Sequence, residues 1–350
     1  MKKIFSLILC AVILLSFAAC GKKTPPDVTT DTPQNSSAAP DTTVSEPDEK
    51  ETAAEMNIFV LSGPTGVGAV DLWSRSEAGT TQNTYQFKLV SANDEIIAAI
   101  SKGEADIAAV ATNLASTLYN KTEGQITVLA VNTLGVLSLM TYKTELSSLS
   151  DLKGKTIVSP GQGANPEYIL RYVLTGNGID PDKDVTLEFV ADGSELPTVW
   201  AKNPDAVILA PQPVATSLLM KYTDARTVFD MTEEWNKLGG DSTLMMGCVI
   251  VRNAYLEEHP GAVETFLSEY EASIGAVKEN PAAAGVLCET YGILPKAAIA
   301  EKAIPYCGLT FLRGAEMKTG LSGYLKVMYN ANPKSVGVQL PGDDFYYNAE

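Results

Sequence analysis

The sequence predicts an α/β fold with a mainly parallel sheet, and three observations lead to this prediction. The stretch NIFVLSGPTGVG at Asn57–Gly68 begins as an apolar run, continues as a glycine-rich turn and opens into a helical pattern. The same succession recurs around 111–113, 159–165 and 211–213. Apolar runs and helical patterns also alternate in steps of about twenty residues, which is typical of βαβ units.

The chain begins with a segment typical of bacterial export signals. Two lysines precede an apolar stretch, 4–17, and small residues follow it directly before Cys20. The apolar stretch is short for a membrane span, and a retained anchor helix is the alternative. A cysteine between Ala-Ala and Gly21 resembles the lipoprotein cleavage box of bacteria. We therefore predict a signal peptide at 1–19 and a mature chain whose first residue, Cys20, carries fatty acyl chains such as palmitate.

The next segment, 20–55, is rich in Pro, Thr, Ser and acidic residues and has almost no large apolar side chains. Such a composition cannot bury a hydrophobic core. We predict a disordered tether here, and a folded part that begins at Met56. The tether would connect this folded part to the lipid.

Charge and cysteine content exclude several classes of partner. The precursor has a formal net charge of −16 and no basic cluster, which argues against nucleic acid or anionic lipid as a partner. Cys248, Cys288 and Cys307 match no metal-binding spacing, so no metal site is predicted. Cys288 and Cys307 bracket a predicted helical hairpin, where one disulfide is an option in an exported protein. Three buried free thiols are the alternative.

Hydrophobic periodicity predicts alternating strands and helices up to about residue 222, and mainly helices after residue 251. The predicted strands are 57–61, 85–91, 106–111, 126–131, 136–142, 156–159, 185–190, 206–209 and 245–251. The predicted helices are 67–78, 93–103, 113–119, 165–174, 195–202, 214–222, 260–277, 282–291, 296–304 and 315–330. The strand at 136–142 is the segment by which the chain would leave the first sheet.

Four stretches in this order resemble the two-lobed solute-binding receptors of bacterial ABC importers, in the group of the nitrate, sulfonate, taurine and thiamine-precursor receptors. They are NIFVLSGPTGVGAVDLW, ISKGEADIAAVATNLAST, LSDLKGKTIVSPGQGANPEYILRYVLTGNGIDPDKDVTLEF and AVILAPQPVAT. The resemblance implies the type II periplasmic-binding-protein fold, in which two crossovers join two α/β lobes. On this basis lobe 1 is expected at 56–139 plus 243–350, and lobe 2 at 140–242.

A ligand site is predicted where the strand–turn–helix junctions converge, because ligands of doubly wound sheets lie outside the carboxyl ends of the strands. Backbone N–H groups at helix starts and the side chains of Asn, Gln, Ser and Thr would hold the ligand. The turns carry no charged side chain, which favours a neutral or singly anionic organic solute. The candidate ligand-binding residues are Ser62, Gly63, Pro64, Thr65, Gly66, Asn113, Asn132, Thr133, Gln162, Gly163, Ala164, Asn165, Pro211 and Gln212.

Several of these residues have structural alternatives. The turn 63–66 lacks the Gly-Lys-Ser/Thr ending of a phosphate loop and is either a ligand contact or a plain turn. Asn113 is equally suited to cap a helix. The pairs 132–133 and 211–212 remain open between the two roles. His259, the only histidine, is expected to be exposed. The tryptophans expected to pack in the core are Trp73, Trp200 and Trp235.

The sequence therefore predicts a lipid-anchored substrate-binding protein of an ABC importer, exported and held on the outer face of the cell membrane. Its expected partners are a small solute, the permease with its ATPase, and the membrane through the lipid. A monomer without cofactor or catalytic residues is expected. One alternative is an enzyme on the same fold, which makes a thiamine precursor or dehydrates a small cyclic acid. A single histidine and the lack of a Ser/His/Asp or Cys/His arrangement disfavour it. A receptor of a tripartite carrier is the nearer alternative.

Overall fold

The computed structural model describes residues 53–240 and 242–348. The predicted signal peptide, Cys20 and the predicted tether up to residue 52 lie outside these residues. In the described part, eleven strands form two sheets and thirteen α-helices accompany them. No helix of this part is long and apolar enough to cross a membrane. The expected limits of the two lobes stay a prediction.

Strands and helices alternate along most of the chain. The strands are β1 Glu55–Leu61, β2 Thr84–Val90, β3 Ile107–Ala111, β4 Ile126–Leu134, β5 Leu137–Thr141, β6 Thr156–Pro160, β7 Thr186–Val190, β8 Val207–Pro211, β9 Arg226–Asp230, β10 Met245–Arg252 and β11 Leu309–Leu312. The helices are α1 Pro64–Val67, α2 Val70–Glu77, α3 Asn93–Lys102, α4 Thr112–Lys121, α5 Asn165–Gly176, α6 Leu196–Lys202, α7 Val214–Lys221, α8 Met231–Lys237, α9 Asn253–Glu258, α10 Pro260–Glu279, α11 Pro281–Thr290, α12 Ala297–Ala303 and α13 Gly314–Ala331.

The two sheets share one topology. Their strand orders are β2-β1-β3-β10-β4-β11 and β7-β6-β8-β5-β9. In each sheet the first three strands are parallel, and the fourth is antiparallel to both of its neighbours. That fourth strand, β10 or β5, is the one by which the chain arrives from the other sheet. The predicted α/β class and the predicted crossing at 136–142 are confirmed.

The apolar strands and the helix boundaries follow from local sequence signals. β3 (IAAVA) and β8 (VILAP) are continuous apolar runs that are buried almost throughout, as is typical of parallel strands with helices on both faces. At the start of α3, the Glu95 carboxylate accepts the N–H group of Ala92 at 3.3 Å. At its end Gly103 adopts the left-handed conformation, at φ 71°. Both ends agree with the predicted helix 93–103.

The folded part begins earlier than predicted, so the expected tether limit at Glu55 is wrong. Glu55 is already the first residue of β1 and pairs with Thr84. The N–H group of Ala54 donates to Asn83 Oδ1 at 3.2 Å, and Tyr255 Oη donates to the carbonyl of Glu55 at 2.8 Å. These side chains from other elements order the backbone ahead of the apolar run, and hydropathy cannot reveal them.

Four elements have no counterpart in the prediction, namely β9, α8, α9 and β11. The predicted helix 67–78 is α2, and the short α1 lies before it in the stretch predicted as a turn. β9 is an edge strand that pairs with β5 alone. α8 is initiated by Asp230, whose Oδ1 accepts the N–H groups of Thr232 and Glu233. Only Met231 and Trp235 form its apolar face, because the helix has just seven residues. A periodic pattern cannot be recognised over such short lengths.

Aromatic packing joins α13 to the second sheet and its helices. The ring centroids of Trp235 and Tyr324 are 5.7 Å apart, and those of Trp235 and Tyr172 are 4.2 Å apart. Trp200 is buried as well, and Trp73 is stacked between Phe87 and Tyr291, so all three tryptophans pack against other side chains as expected.

The sequence also predicts the environment of the cysteines and of the histidine. All three described cysteines are buried free thiols, which agrees with the alternative to a disulfide. His259 is half-buried against the ring of Tyr255, at a centroid distance of 4.8 Å, so the expectation of an exposed histidine is wrong.

Two buried tyrosines provide a test of the packing, because their hydroxyl groups differ. Tyr270 Oη accepts a hydrogen bond from Asn132 Nδ2 at 2.8 Å, whereas Tyr324 Oη has no partner among the described residues. We expect Tyr324→Phe to raise the free energy of unfolding in urea by about 1 kcal/mol, since it removes an unpaired buried hydroxyl. The matched variant Tyr270→Phe should lower it by about 1 kcal/mol. Equal losses in both variants would contradict this description of the core.

Candidate functional site

The link between β4 and β5 brings the strand ends of the first sheet next to the carboxyl ends of the parallel strands of the second. Only Gly135 and Val136 separate the two strands. β4 ends at the same edge as β3, because both are antiparallel to β10, and β5 starts beside the end of β8, where Leu137 pairs with Pro211. A Cβ atom at Gly135 would overlap Thr232 Oγ1, so only glycine fits this close approach.

A hydrogen bond connects the two groups of strand ends. Asn165 Nδ2 donates to Asn113 Oδ1 at 3.0 Å. Asn113 lies in the first turn of α4, which follows β3 of the first sheet, and Asn165 is the first residue of α5, which follows β6 of the second. Two of the predicted junctions therefore meet. The N-cap residue of α4 is Ala111, so the alternative that Asn113 caps this helix is wrong.

The turn before α5 combines exposed and buried candidates. Gly161 and Gly163 have φ values of 69° and 73°, the left-handed region that favours glycine. Gln162, Gly163 and Ala164 are exposed, whereas Asn165 is only 9% exposed. The predicted site residues of this turn thus surround one buried amide.

The turn before α1 is fixed by backbone hydrogen bonds. The N–H group of Ser62 donates to the carbonyl of Val90 at 2.9 Å, and that of Gly63 to the carbonyl of Ile293 at 3.0 Å. Gly63 has a φ of 97°, which requires glycine in practice. Ser62, Gly63, Pro64 and Thr65 keep part of their surface accessible, while Gly66 is buried.

Asn132 and Thr133 hold this turn from the inside. Asn132 Nδ2 donates to the carbonyl of Thr65 at 2.9 Å, and Thr133 Oγ1 donates to Asn132 Oδ1 at 3.1 Å. Both side chains are only 1% exposed. The structure does not bring them to the surface beside Asn113 and Asn165. Their hydrogen bonds support the turn that carries other candidates.

Gln212 is hydrogen-bonded to Val136 and Thr216. Its N–H group donates to the carbonyl of Val136 at 2.9 Å, and its Oε1 accepts from Thr216 Oγ1 at 2.8 Å at the start of α7. The peptide bond between Gln212 and Pro213 is cis. Pro211 is half-buried at the end of β8. These two candidates lie at a strand end as predicted, but they do not join the Asn113–Asn165 pair.

Three polar residues that the sequence analysis missed lie next to the site. Glu167 Oε2 accepts the N–H group of Gly163 at 2.7 Å, and its Oε1 accepts from Arg171 Nε at 2.8 Å. Tyr168 Oη donates to the carbonyl of Gly163 at 3.0 Å and accepts from Asn332 Nδ2 at 2.7 Å. The bond from Asn332, which follows α13, is a second link between the two halves of the fold.

These residues are absent from the prediction because they lie in or after helices rather than in the turns. The spacing of Glu167 and Arg171, four residues apart on α5, was the one available signal. A groove with a volume of about 710 Å³ runs between α5 and α13, lined by Tyr168, Arg171 and Asn332 among others. Throughout 53–240 and 242–348, no three His, Cys, Asp or Glu side chains are grouped as a metal ion would require.

Known proteins share this architecture. A family model described as NMT1/THI5 like matches residues 88–284. A structure from Parabacteroides distasonis, described as an ABC transporter, is 22% identical, covers 85% of this chain and 99% of that one, and has a TM-score of 0.70. The periplasmic aliphatic sulphonate binding protein of Escherichia coli is 14% identical, with 83% and 94% covered and a TM-score of 0.65.

The periplasmic nitrate-binding protein of Synechocystis is also similar, at 10% identity, with 82% of this chain and 85% of that one covered and a TM-score of 0.55. The curated proteins include no match. At such low sequence identities the similarity shows a shared fold. The chain has the two-lobed α/β fold of the periplasmic binding proteins, as its sequence predicts.

The turn before α1 can be tested through its buried glycine. A Cβ atom at Gly66 would lie 2.6 Å from the carbonyl oxygen of Leu61 and 2.8 Å from Val60 Cγ1. We expect Gly66→Ala to lower the free energy of unfolding by about 2 kcal/mol, as other overpacked sites do. Gly275 on α10 is the matched control, because a Cβ atom there would meet nothing within 4 Å. Gly275→Ala should stabilise the fold by about 0.5–1 kcal/mol. An unchanged stability of Gly66→Ala would contradict the tight turn.

Proposed function

The chain belongs to the NMT1/THI5-like family, and from this membership we propose that it is the substrate-binding protein of an ABC importer. The observation that carries the proposal is the hydrogen bond of 3.0 Å between Asn165 and Asn113, which joins helix starts of different sheets. A solute bound next to Asn113 and Asn165 can contact both halves of the fold only while the two halves are closed on each other. Its binding energy therefore favours the closed state, which a permease can distinguish from the open one.

The proposed lobes are 56–139 with 243–350, and 140–242. They follow the two sheets closely, with the difference that β5 already begins at Leu137. The solute site comprises the candidates of both lobes, and Asn113 and Asn165 are its centre. Similar proteins described as sulphonate-binding and nitrate-binding proteins support a small organic or inorganic solute as the ligand class.

We propose a receptor rather than an enzyme on the same fold. His259 follows α9, which begins where β10 ends beside the starts of β3 and β4, at the edge of the sheet opposite to the site. Burial raises the pKa of the Cys288 and Cys307 thiols to about 12 each, so both stay protonated at neutral pH. A protonated buried thiol is neither a nucleophile nor a metal ligand. Burial also raises the pKa of Cys248.

We further propose export and anchoring at the outer face of the membrane through Cys20, with a permease and its ATPase as partners. The support is the apolar stretch 4–17 and the small residues before the cysteine. A single acyl chain gives only marginal membrane binding, so stable attachment needs more than one chain on this residue. Co-purification with an ATPase would separate an ABC importer from a tripartite carrier.

The lipid anchor is tested by Cys20→Ser in the full chain, expressed in a bacterial host. We expect the native chain in the membrane fraction with incorporated labelled palmitate, and the variant in the soluble fraction or as an unprocessed precursor without label. Cys10→Ser, inside the predicted signal peptide, is the matched control and should behave as the native chain. Unchanged labelling of the Cys20 variant would contradict the anchor.

Solute binding is tested on residues 21–350 by recording the melting temperature against sulfonates, nitrate, pyrimidines, carboxylates and amino acids. A solute that binds only the folded state at about a hundred times its Kd adds about 2.7 kcal/mol. We expect one solute class to raise the melting temperature and to be recovered unchanged by chromatography. Chemical conversion of the solute would favour the enzyme alternative, and a response to no member of the panel would contradict the proposed function.

A further inference from the structure

We propose that the solute donates a hydrogen bond from an N–H or O–H group to Asn165 Oδ1, which makes Asn165 the residue that selects the solute class. This inference rests on the proposed receptor function and names its substrate class. It follows from the hydrogen-bond pattern around the start of α5, which consists of one unpaired buried acceptor, a set of occupied donors and a buried carboxylate.

The orientation of the Asn165 amide is fixed by a chain of hydrogen bonds. Asn113 Nδ2 donates to the carbonyl of Ser335 at 3.4 Å, and a carbonyl oxygen can only accept. This places Asn113 Oδ1 towards Asn165, so Asn165 must present its Nδ2, at 3.0 Å. Exchanging the two atoms in either amide would bring two acceptors together. Asn165 Oδ1 is therefore the atom left over.

Asn165 Oδ1 is buried and has no hydrogen-bond partner among the described residues. The residue is 9% exposed and lies among exposed turn residues at the junction of the two sheets. An unpaired buried carbonyl is costly, and a donor that arrives from a solute removes this cost. The missing partner is an N–H or O–H group, because an amide oxygen cannot bond to nitrate or sulfonate oxygens.

The backbone around α5 offers little to an anion. A helix start commonly binds anions through free N–H groups, and this was the expectation from the sequence. Here the chain's own acceptors occupy five of those groups, Pro166 has none, and the N–H groups of Gln162 and Asn165 have no acceptor among the described residues. The occupied N–H groups belong to Gly161, Gly163, Ala164, Glu167 and Tyr168. These five donors are therefore not free to hold a solute.

The charge at this place is negative. The Glu167 carboxylate, 8% exposed, lies in the first turn of α5. Arg171 pairs with both Glu167 and Asp182, each at 2.8 Å, so one cation is shared between two carboxylates. The three side chains carry one formal negative charge, of which the Asp182 carboxylate is solvent-exposed, so Arg171 is not a free cation for an anionic solute.

The start of α4, on the opposite side of the amide pair, has the complementary character. Its N-cap residue, Ala111, provides no side-chain hydrogen bond, as is also true of Ala164 at α5, but here the N–H groups of Asn113 and Leu114 have no acceptor among the described residues. An acceptor group on the solute therefore suits the α4 side and a donor group suits the α5 side. Carboxamides, ureas and amino-substituted heterocycles combine both groups without a charge.

The test compares probes that differ in charge and donors. Nicotinamide, cytosine and methylurea are uncharged donors, whereas nicotinate, nitrate and methanesulfonate are anions that only accept. The melting temperature of residues 21–350 is recorded with each probe, and calorimetry gives the Kd of every binder. We expect binders among the uncharged donors alone. A response confined to the anions overturns this inference and leaves the receptor function standing, whereas a response to no probe overturns both.

Variants then separate recognition from closure. Asn165→Ala should weaken the binding of an uncharged donor by about tenfold or more, because the donor loses its partner. Asn332→Ala is the matched control, since it removes the bond to Tyr168 without touching Asn165. Equal weakening in the two alanine variants would mean that Asn165 acts only through closure, and would overturn the inference.

Discussion

The two crossing strands are the constraint on which the rest of the molecule depends. β5 and β10 each enter the interior of a sheet from the other half of the chain, and each is antiparallel to both of its neighbours. Within each sheet the parallel strands all run in one direction. The crossing strands therefore determine which strand ends of one sheet face the other sheet. With only Gly135 and Val136 between β4 and β5, the edges that meet are those of the strand ends. The turns that follow these strands therefore lie at the junction of the two sheets.

The side chains at this junction show how a common fold acquires a particular chemistry. The helix starts are given by the topology, but their polarity depends on which groups the chain itself uses. At α5, Glu167 and the turn carbonyls occupy the donors, and a relay from Ser335 through Asn113 leaves an acceptor at Asn165. A related protein with the same backbone but without a carboxylate at the position of Glu167 would leave the N–H group of Gly163 free. Fold likeness at low identity therefore carries little information about the solute.

Much of the fold could be predicted because its signals are local. The apolar runs of β1, β3, β6 and β8 and the glycine turns after β1 and β6 depend on residues adjacent in the chain. The missed elements depend on distant partners. β9 exists because β5 offers an edge, and Glu55 joins β1 because Tyr255 holds its carbonyl. At the site, the sequence identified Asn113 and Asn165 as polar residues at helix starts. It could not show that they bond to each other, because they belong to different sheets.

The late position of β10 in the chain has a consequence for the order in which the two sheets can form as the chain is synthesised. In the first sheet, the position between β3 and β4 is occupied by β10, Met245–Arg252, which comes much later in the chain. All strands of the second sheet lie between residues 137 and 230 and have emerged before it. The second sheet can therefore close first, while β3 has one unpaired edge and β4, whose other neighbour β11 follows later still, has two. Unpaired edges of this kind pair readily with other chains. The chain is thus most prone to aggregation in the interval before residue 252 has been synthesised.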